Sequence, residues 1–397
     1  MVKGRTWSTT AYEKVSTKAT KGGTVSATSI AEQRMLQGET LDPMVDPKGT
    51  ATLGSIRRSL PRFEKEGSYW KLRYGVPMAI ETALDTTGSM GDNVDLAFGA
   101  LPQFYDMLKV GRNPILAQYD PHIMTTIFND VMDFVHSNGK KPVMCRTQFE
   151  MDERIAEQMT NLVPGKGGCG NGKEDPQYAL FGAAYLTNAA IHTRWDLKSY
   201  HFTSSDEPTD ITVARKWLEE IYGPDVLERC KENGYNLDSG NLPDTAEIIA
   251  ELKTKAHAFF LQVPGSYDRT VKEQWTDLYG PEHFVRIPGS TRYLHAVQAT
   301  IVGLTEGVIT LDSSEGFLLE HRVPKSQARL IVEAVEHIPL AAQTLHPNFK
   351  RLPKPGDLFE KKTDLWPIDS SKIKPKMIPS KIGPKIIDLE KKGTTWL

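Results

Sequence analysis

The stretch 76–84, Val-Pro-Met-Ala-Ile-Glu-Thr-Ala-Leu, reads as a buried strand. It ends in Asp85, and two hydroxyls follow at alternate positions, Thr87 and Ser89, around Gly88. Beyond them the pattern changes period. Over 92–110, Val94, Ala97, Phe98, Leu101, Phe104, Tyr105 and Leu108 fall on one helical stripe. A buried strand handed by a tight turn to an amphipathic helix is the opening of an alternating α/β fold. One carboxylate and two hydroxyls on such a turn form an incomplete oxygen cage for a small hard cation. Mg2+ suits a site with few carboxylates and several retained waters.

The alternation continues along the chain. Strands are predicted near 78–85, 123–128, 142–147, 199–205, 257–263 and 284–287, and helices near 92–109, 151–161, 176–191, 210–222, 244–255 and 290–304. This order predicts an α/β fold with a doubly wound, mostly parallel sheet, whose ligands bind at the carboxyl ends of the strands. Asp85, the glycine-rich loop 164–175 and Asp206 all fall at such ends. Residues 223–243, with Gly223-Pro224 and Leu242-Pro243, read as an insertion.

The segment Asp85-Thr-Thr87-Gly-Ser89-Met resembles the first motif, Asp-x-Ser-x-Ser, of the metal-ion-dependent adhesion site (MIDAS) in von Willebrand factor A (VWA) domains. Thr87 keeps the hydroxyl of the first serine. Ser199-Tyr-His-Phe-Thr-Ser-Ser-Asp206-Glu-Pro is similar to the family's later strand ending in an aspartate. The loop Pro164-Gly-Lys-Gly-Gly-Cys-Gly-Asn171-Gly-Lys-Glu174-Asp175 resembles a glycine-rich variant of the intervening loop, without the threonine found there in most members. The resemblance implies a VWA-like domain over 77–305 holding Mg2+, or Mn2+ or Ca2+, through Asp85, Thr87, Ser89, Asn171 and Asp206. Glu174 would stand behind them. It also implies a protein partner that offers a carboxylate to the metal, and no catalysis. The three segments together are similar to VWA proteins of bacteria and their phages. That suggests a structural component of a virion or other large assembly, or else a cytosolic adaptor of an AAA+ ATPase.

Charge supports an assembly role. The chain is near neutral overall, yet residues 1–75 and 346–397 each carry about +6 and the body about −14. The basic, proline-punctuated ends predict arms over 1–76 and 346–397 that reach neighbouring subunits, with a helical extension over 306–345 between body and tail. The tail's lysines suit phosphate contact. Its lack of interleaved aromatics over 367–395 argues against stacking on single-stranded nucleic acid and favours protein. Three scattered cysteines, no apolar leader and no membrane-length apolar run predict a cytoplasmic or virion setting and no membrane association.

Other chemistries fit less well. Asp-x-Thr-Gly-Ser also resembles the phosphorylated aspartate motif of P-type pumps and related phosphatases, but the lysine after the aspartate and a second acidic cluster are missing. The glycine loop lacks a P-loop ending, since Glu174 follows Gly172-Lys173. Cys169 has no histidine near it in sequence, and His201 reads as a packed strand residue.

Overall fold

The computed structural model describes residue 10 and residues 27–49, 54–90, 93–110, 114–152, 154–165, 167, 172–238, 240–369 and 371. Its eleven described strands, in chain order, are β1 (Arg57–Ser59), β2 (Phe63–Glu66), β3 (Tyr69–Leu72), β4 (Val76–Asp85), β5 (Tyr119–Phe128), β6 (Met144–Arg146), β7 (Thr187–Ala189), β8 (Ser199–Ser205), β9 (Ala256–Gln262), β10 (Phe284–Arg286) and β11 (Leu358–Phe359).

Six of them form the central sheet in the order β10-β9-β8-β4-β5-β6. Every neighbouring pair is parallel except β5 and β6. All ten residues of β4 and all ten of β5 are buried, as strands covered on both faces must be, which explains their near-continuous apolar sequence. Neighbouring residues alternate between two apolar clusters. Ile127, Phe259, Leu261 and Val285 join one, and Phe128, Ala258, Phe260 and Phe284 join the other. On the first face lie the helices Asn93–Lys109 and Leu294–Thr305; on the second lie Pro176–Tyr185, Thr245–Lys255 and Asp268–Tyr279. The expected helix over 176–191 is interrupted: β7 separates Pro176–Tyr185 from Ala190–Trp195 and pairs in parallel with β1.

The predicted boundaries shift at both ends. The segment read as an N-terminal arm supplies β1, β2 and β3. Arg57 is fully buried, its guanidinium donating to the carbonyls of Thr147, Arg146, Gly54 and Asp46. The helices Leu311–Glu320 and Lys325–Ala334 put Phe317, Leu318, Ala328 and Ile331 into the first apolar cluster. The expected arm over 346–397 also departs from the structure in its first part, because residues 346–369 lie on the body of the same chain. β11 pairs antiparallel with β3, Phe359 is buried against the edge of Phe63, and Trp195 Nε1 donates to the Leu365 carbonyl at 2.7 Å. Leu352, Phe359 and Trp366 are the anchors. Proline and lysine density masked them in the sequence. Residues 372–397, and the arm over 1–26 apart from residue 10, lie outside the described residues. No helix among the described residues is long and apolar enough to cross a membrane.

Candidate metal centre

The strand order reverses between β4 and β8, the two strands in the middle of the sheet. Loops leaving the carboxyl ends of strands on either side of such a point diverge and leave a crevice. Asp85 closes β4, and Asp206 follows the last residue of β8.

A ladder of hydrogen-bonded oxygens spans this crevice. Asp85 is fully buried. Its Oδ1 accepts from the Thr87 backbone N–H at 2.9 Å and from Thr87 Oγ1 at 2.7 Å. Its Oδ2 accepts from Ser205 Oγ at 2.7 Å. Thr87 Oγ1 lies 3.3 Å from Ser89 Oγ, which donates to Asp206 Oδ1 at 2.9 Å. The sequence-predicted Asp85, Thr87, Ser89 and Asp206 are thus brought together by contacts running from one to the next. Asn171 lies outside the described residues.

Described residues of two further segments are tied to the turn and to the stretch after Asp206. The backbone N–H of Gly88 donates to the carbonyl of Gly167, which brings that glycine against the turn. The base of the glycine loop is held by Asn129, whose Oδ1 accepts from the Gly165 N–H at 2.7 Å and from the Thr86 hydroxyl, while its amide donates to the Pro142 carbonyl at 2.7 Å. A side chain at Gly165 would place its Cβ 2.7 Å from Asn129 Oδ1, so the close approach requires glycine. Past the loop, the Glu174 N–H donates to the Pro208 carbonyl at 2.9 Å. This pins the stretch before the helix Pro176–Tyr185 to the segment following Asp206. Glu174 is 4% exposed, its carboxylate interacts with the Thr87 side chain, and its Oε2 has no hydrogen-bond partner among the described residues.

The electrostatics are those of a buried anionic cluster. Burial raises the Asp85 carboxyl well above the ordinary range against the hydrogen bonds from Thr87, and the Asp206 charge adds to the rise. Burial raises Glu174 further, with the Asp85 charge next in effect. Asp206 is also raised by burial, opposed by the Ser89 hydrogen bond. Burial, and no charge of opposite sign among the described residues, is the leading influence on each of the three. Among the described residues, no group of three or more His, Cys, Asp or Glu side chains is set out to hold a metal ion. The donors here are spread along a ladder in which hydroxyls alternate with acids. An oxygen-only set with an orphaned carboxylate oxygen fits a hard cation in chemistry.

Sequence reasoning overlooked two residues. Ser205 is the third donor to Asp85, and its signal was the hydroxyl immediately before the strand-end acid. Asn129 orders the glycine loop, and its signal was Asn129-Asp130 at the end of β5. His201 sits inside β8, away from the ladder. Its Nε2 is 3.1 Å from Thr203 Oγ1, and its Nδ1 is 3.5 Å from Glu81 Oε2.

No protein-family model matches the chain, and no curated protein matches it. Among solved structures it is similar to the pilus adhesin SpaC of Lactobacillus rhamnosus GG in its open conformation. The TM-score is 0.38 at 11% identity, over 62% of this chain and 33% of the adhesin. A second structure of the same adhesin gives a TM-score of 0.35 at 13% identity, over 62% of this chain and 34% of that one. The chain therefore spans about a third of the adhesin's length.

Proposed function

We propose that this chain is a VWA-like recognition module with a doubly wound sheet, which holds Mg2+, Mn2+ or Ca2+ and binds a protein partner without catalysis. The observation that carries the reading is the junction of Ser89 with Asp206, which joins the turn after β4 to the end of β8 across the reversal in strand order. Asp85 and Asp206 supply the anionic oxygens. Thr87 and Ser89 supply hydroxyls whose lone pairs remain available while they donate to those acids. Ser205 and the Thr87 N–H hold the Asp85 carboxylate in place from behind. A bound cation supplies the missing positive charge and a coordination position for a carboxylate of the partner. Ser89 is the exposed member of the set, so the partner approaches from its side.

A recognition role is favoured over aspartyl-phosphate chemistry by the environment of Asp85. Thr87 and Ser205 donate to its two oxygens and hold the carboxylate in one orientation, and the lysine that follows the phosphorylated aspartate in that motif is replaced here by Thr86. Calorimetric titration of the metal-stripped chain with Mn2+ and Mg2+ tests the reading. Saturable heats are expected in the wild type and not in Asp85→Ala. Negligible heats in both overturn it.

A further inference from the structure

We propose that the chain has a second binding site, at the other end of the sheet from the acid ladder, which takes a small carboxylate such as formate or acetate. It stands independently of the recognition reading above.

A cavity of about 40 Å³ lies where β8 and β9 begin, between the sheet and the helices Pro176–Tyr185 and Thr245–Lys255. Glu81, His201 and Lys255 are its buried polar walls, and half-buried Asn188, His192 and Tyr235 stand nearer solvent. Room of this size takes about three waters, or one molecule with about as many non-hydrogen atoms.

Three features of the wall favour an anion. The Lys255 ammonium donates to the Ala184 carbonyl and the Tyr235 hydroxyl, but the Glu251 carboxylate stands 3.5 Å away, longer than a charge-assisted hydrogen bond. Burial lowers this ammonium to about 8, against the pull of Glu251. Second, His201 is buried in β8, and its Nδ1 has no hydrogen-bond partner among the described residues, Glu81 Oε2 being 3.5 Å off. With its other nitrogen 3.1 Å from the Thr203 hydroxyl, the ring can accept there and donate from Nδ1. Third, the negative groups nearby are already served. Glu81 is paired with Arg146 at 3.2 Å and accepts from Thr126 Oγ1 at 2.7 Å. Carbonyls at the ends of the two helices are taken too, Ala184 by Lys255, Tyr185 by Asn233 at 2.9 Å and Lys255 by Ser199 at 3.2 Å.

An unpartnered buried donor and a desolvated ammonium are both costly. A carboxylate in the cavity answers both, accepting from Lys255 and from His201 Nδ1 and giving the ammonium its counter-charge. The volume limits the ligand to the shortest acids, and a branched one such as pivalate is too large.

The test uses the full chain, with formate and acetate as probes followed by NMR line broadening, with and without EDTA. Saturation is expected at about 0.1–10 mM, since so few atoms cannot bind tightly. Methylammonium and pivalate should not displace the probe: the one has the wrong charge and the other is too large. Lys255→Met should weaken binding by about tenfold or more, with its melting temperature measured alongside. No saturation in the wild type means that water fills the cavity, and overturns the proposal. Binding lost with EDTA belongs to a cation, which overturns the proposal and leaves the recognition reading standing. Displacement by methylammonium or pivalate as readily as by acetate, or unweakened binding to Lys255→Met, also overturns it. The competition is read on the wild type alone, so it decides even where Lys255→Met fails to fold.

Discussion

Ser89 and Asp206 lie 117 positions apart in the chain, and the 2.9 Å bond between them is the contact by which two loops of the crevice recognise each other. It exists because β4 and β8 are neighbours in the sheet, although β5, β6 and β7 come between them in sequence. On the recognition reading proposed above, a cation at Ser89 would give Asp206 a counter-charge beside its donor.

Cation binding should therefore stabilise the fold. At a Mn2+ concentration about a hundred times Kd, linkage predicts a gain of ~2.7 kcal/mol for the wild type. Thermal unfolding with and without Mn2+ measures it. Asp85→Ala is expected to show no metal-dependent shift.

Gly265 offers a separate route to the site. A Cβ at this position would stand 2.8 Å from both Cβ and Oδ2 of Asp206. Gly265→Ala should push Asp206 off its bond with Ser89 and weaken Mn2+ binding by about tenfold. Its overpacking cost should be about 1–3 kcal/mol. Mn2+ titration alongside urea unfolding checks both parts, and an unchanged affinity would mean that Asp206 has room to retreat without losing the ion.

A pH dependence arises far from the cation site, at Glu306. Its carboxyl accepts from Tyr200 at 2.8 Å and from Tyr119 at 3.1 Å, and burial pushes it up to about 7 despite those bonds. Between an unfolded value near 4.5 and about 7, the folded chain keeps a proton that the unfolded chain releases. Stability from this group is thus full at low pH and is lost as pH rises through that window, by ~3 kcal/mol in total. Glu306→Gln has no proton to lose. Comparing the two chains by urea unfolding at pH 5 and pH 8 should show the variant gaining on the wild type as pH rises.

The packed stretch 346–369 predicts opposite results for two truncations. Removing 346–397 strips β11, the buried Phe359 and the acceptor for Trp195, and burial alone is worth about 1.5–3 kcal/mol per large apolar side chain. A marked fall in melting temperature is expected. Removing 372–397 takes away none of these contacts and should leave the melting temperature unchanged.

What could be read in the sequence was whatever a local pattern encodes. The 76–85 run ends at Asp85 as the strand does, and Ser199–Ser205 matches its predicted strand. The acids and hydroxyls of the ladder stood out because their spacing is local. Contacts that depend on distant partners were hidden. β1 and β7 have three residues each, too few to establish a period, and each becomes a strand only because the other is there. Phe359 and Trp366 sit among lysines and prolines that suggest a solvated tail, and what they cover, Phe63 and β3 for the one and the first apolar cluster for the other, is far away in sequence. That Glu174 Oε2 is buried without a partner among the described residues was also hidden, because an orphaned oxygen is a property of packing.

The pairing of β11 with β3 also sets a timetable. Trp70 and Lys71 belong to an early part of the chain, yet the strand that covers their edge carries Phe359 and Leu358. During synthesis the β2–β3 hairpin emerges long before that cover exists, while the central sheet can assemble on its own loops. Completion of this sheet waits for the ribosome to deliver β11, and such late, non-local closure is slow to find and open to error. In the interval β3 presents a bare edge. A nascent chain stalled before residue 358 should therefore be held by chaperones more than one that has passed it.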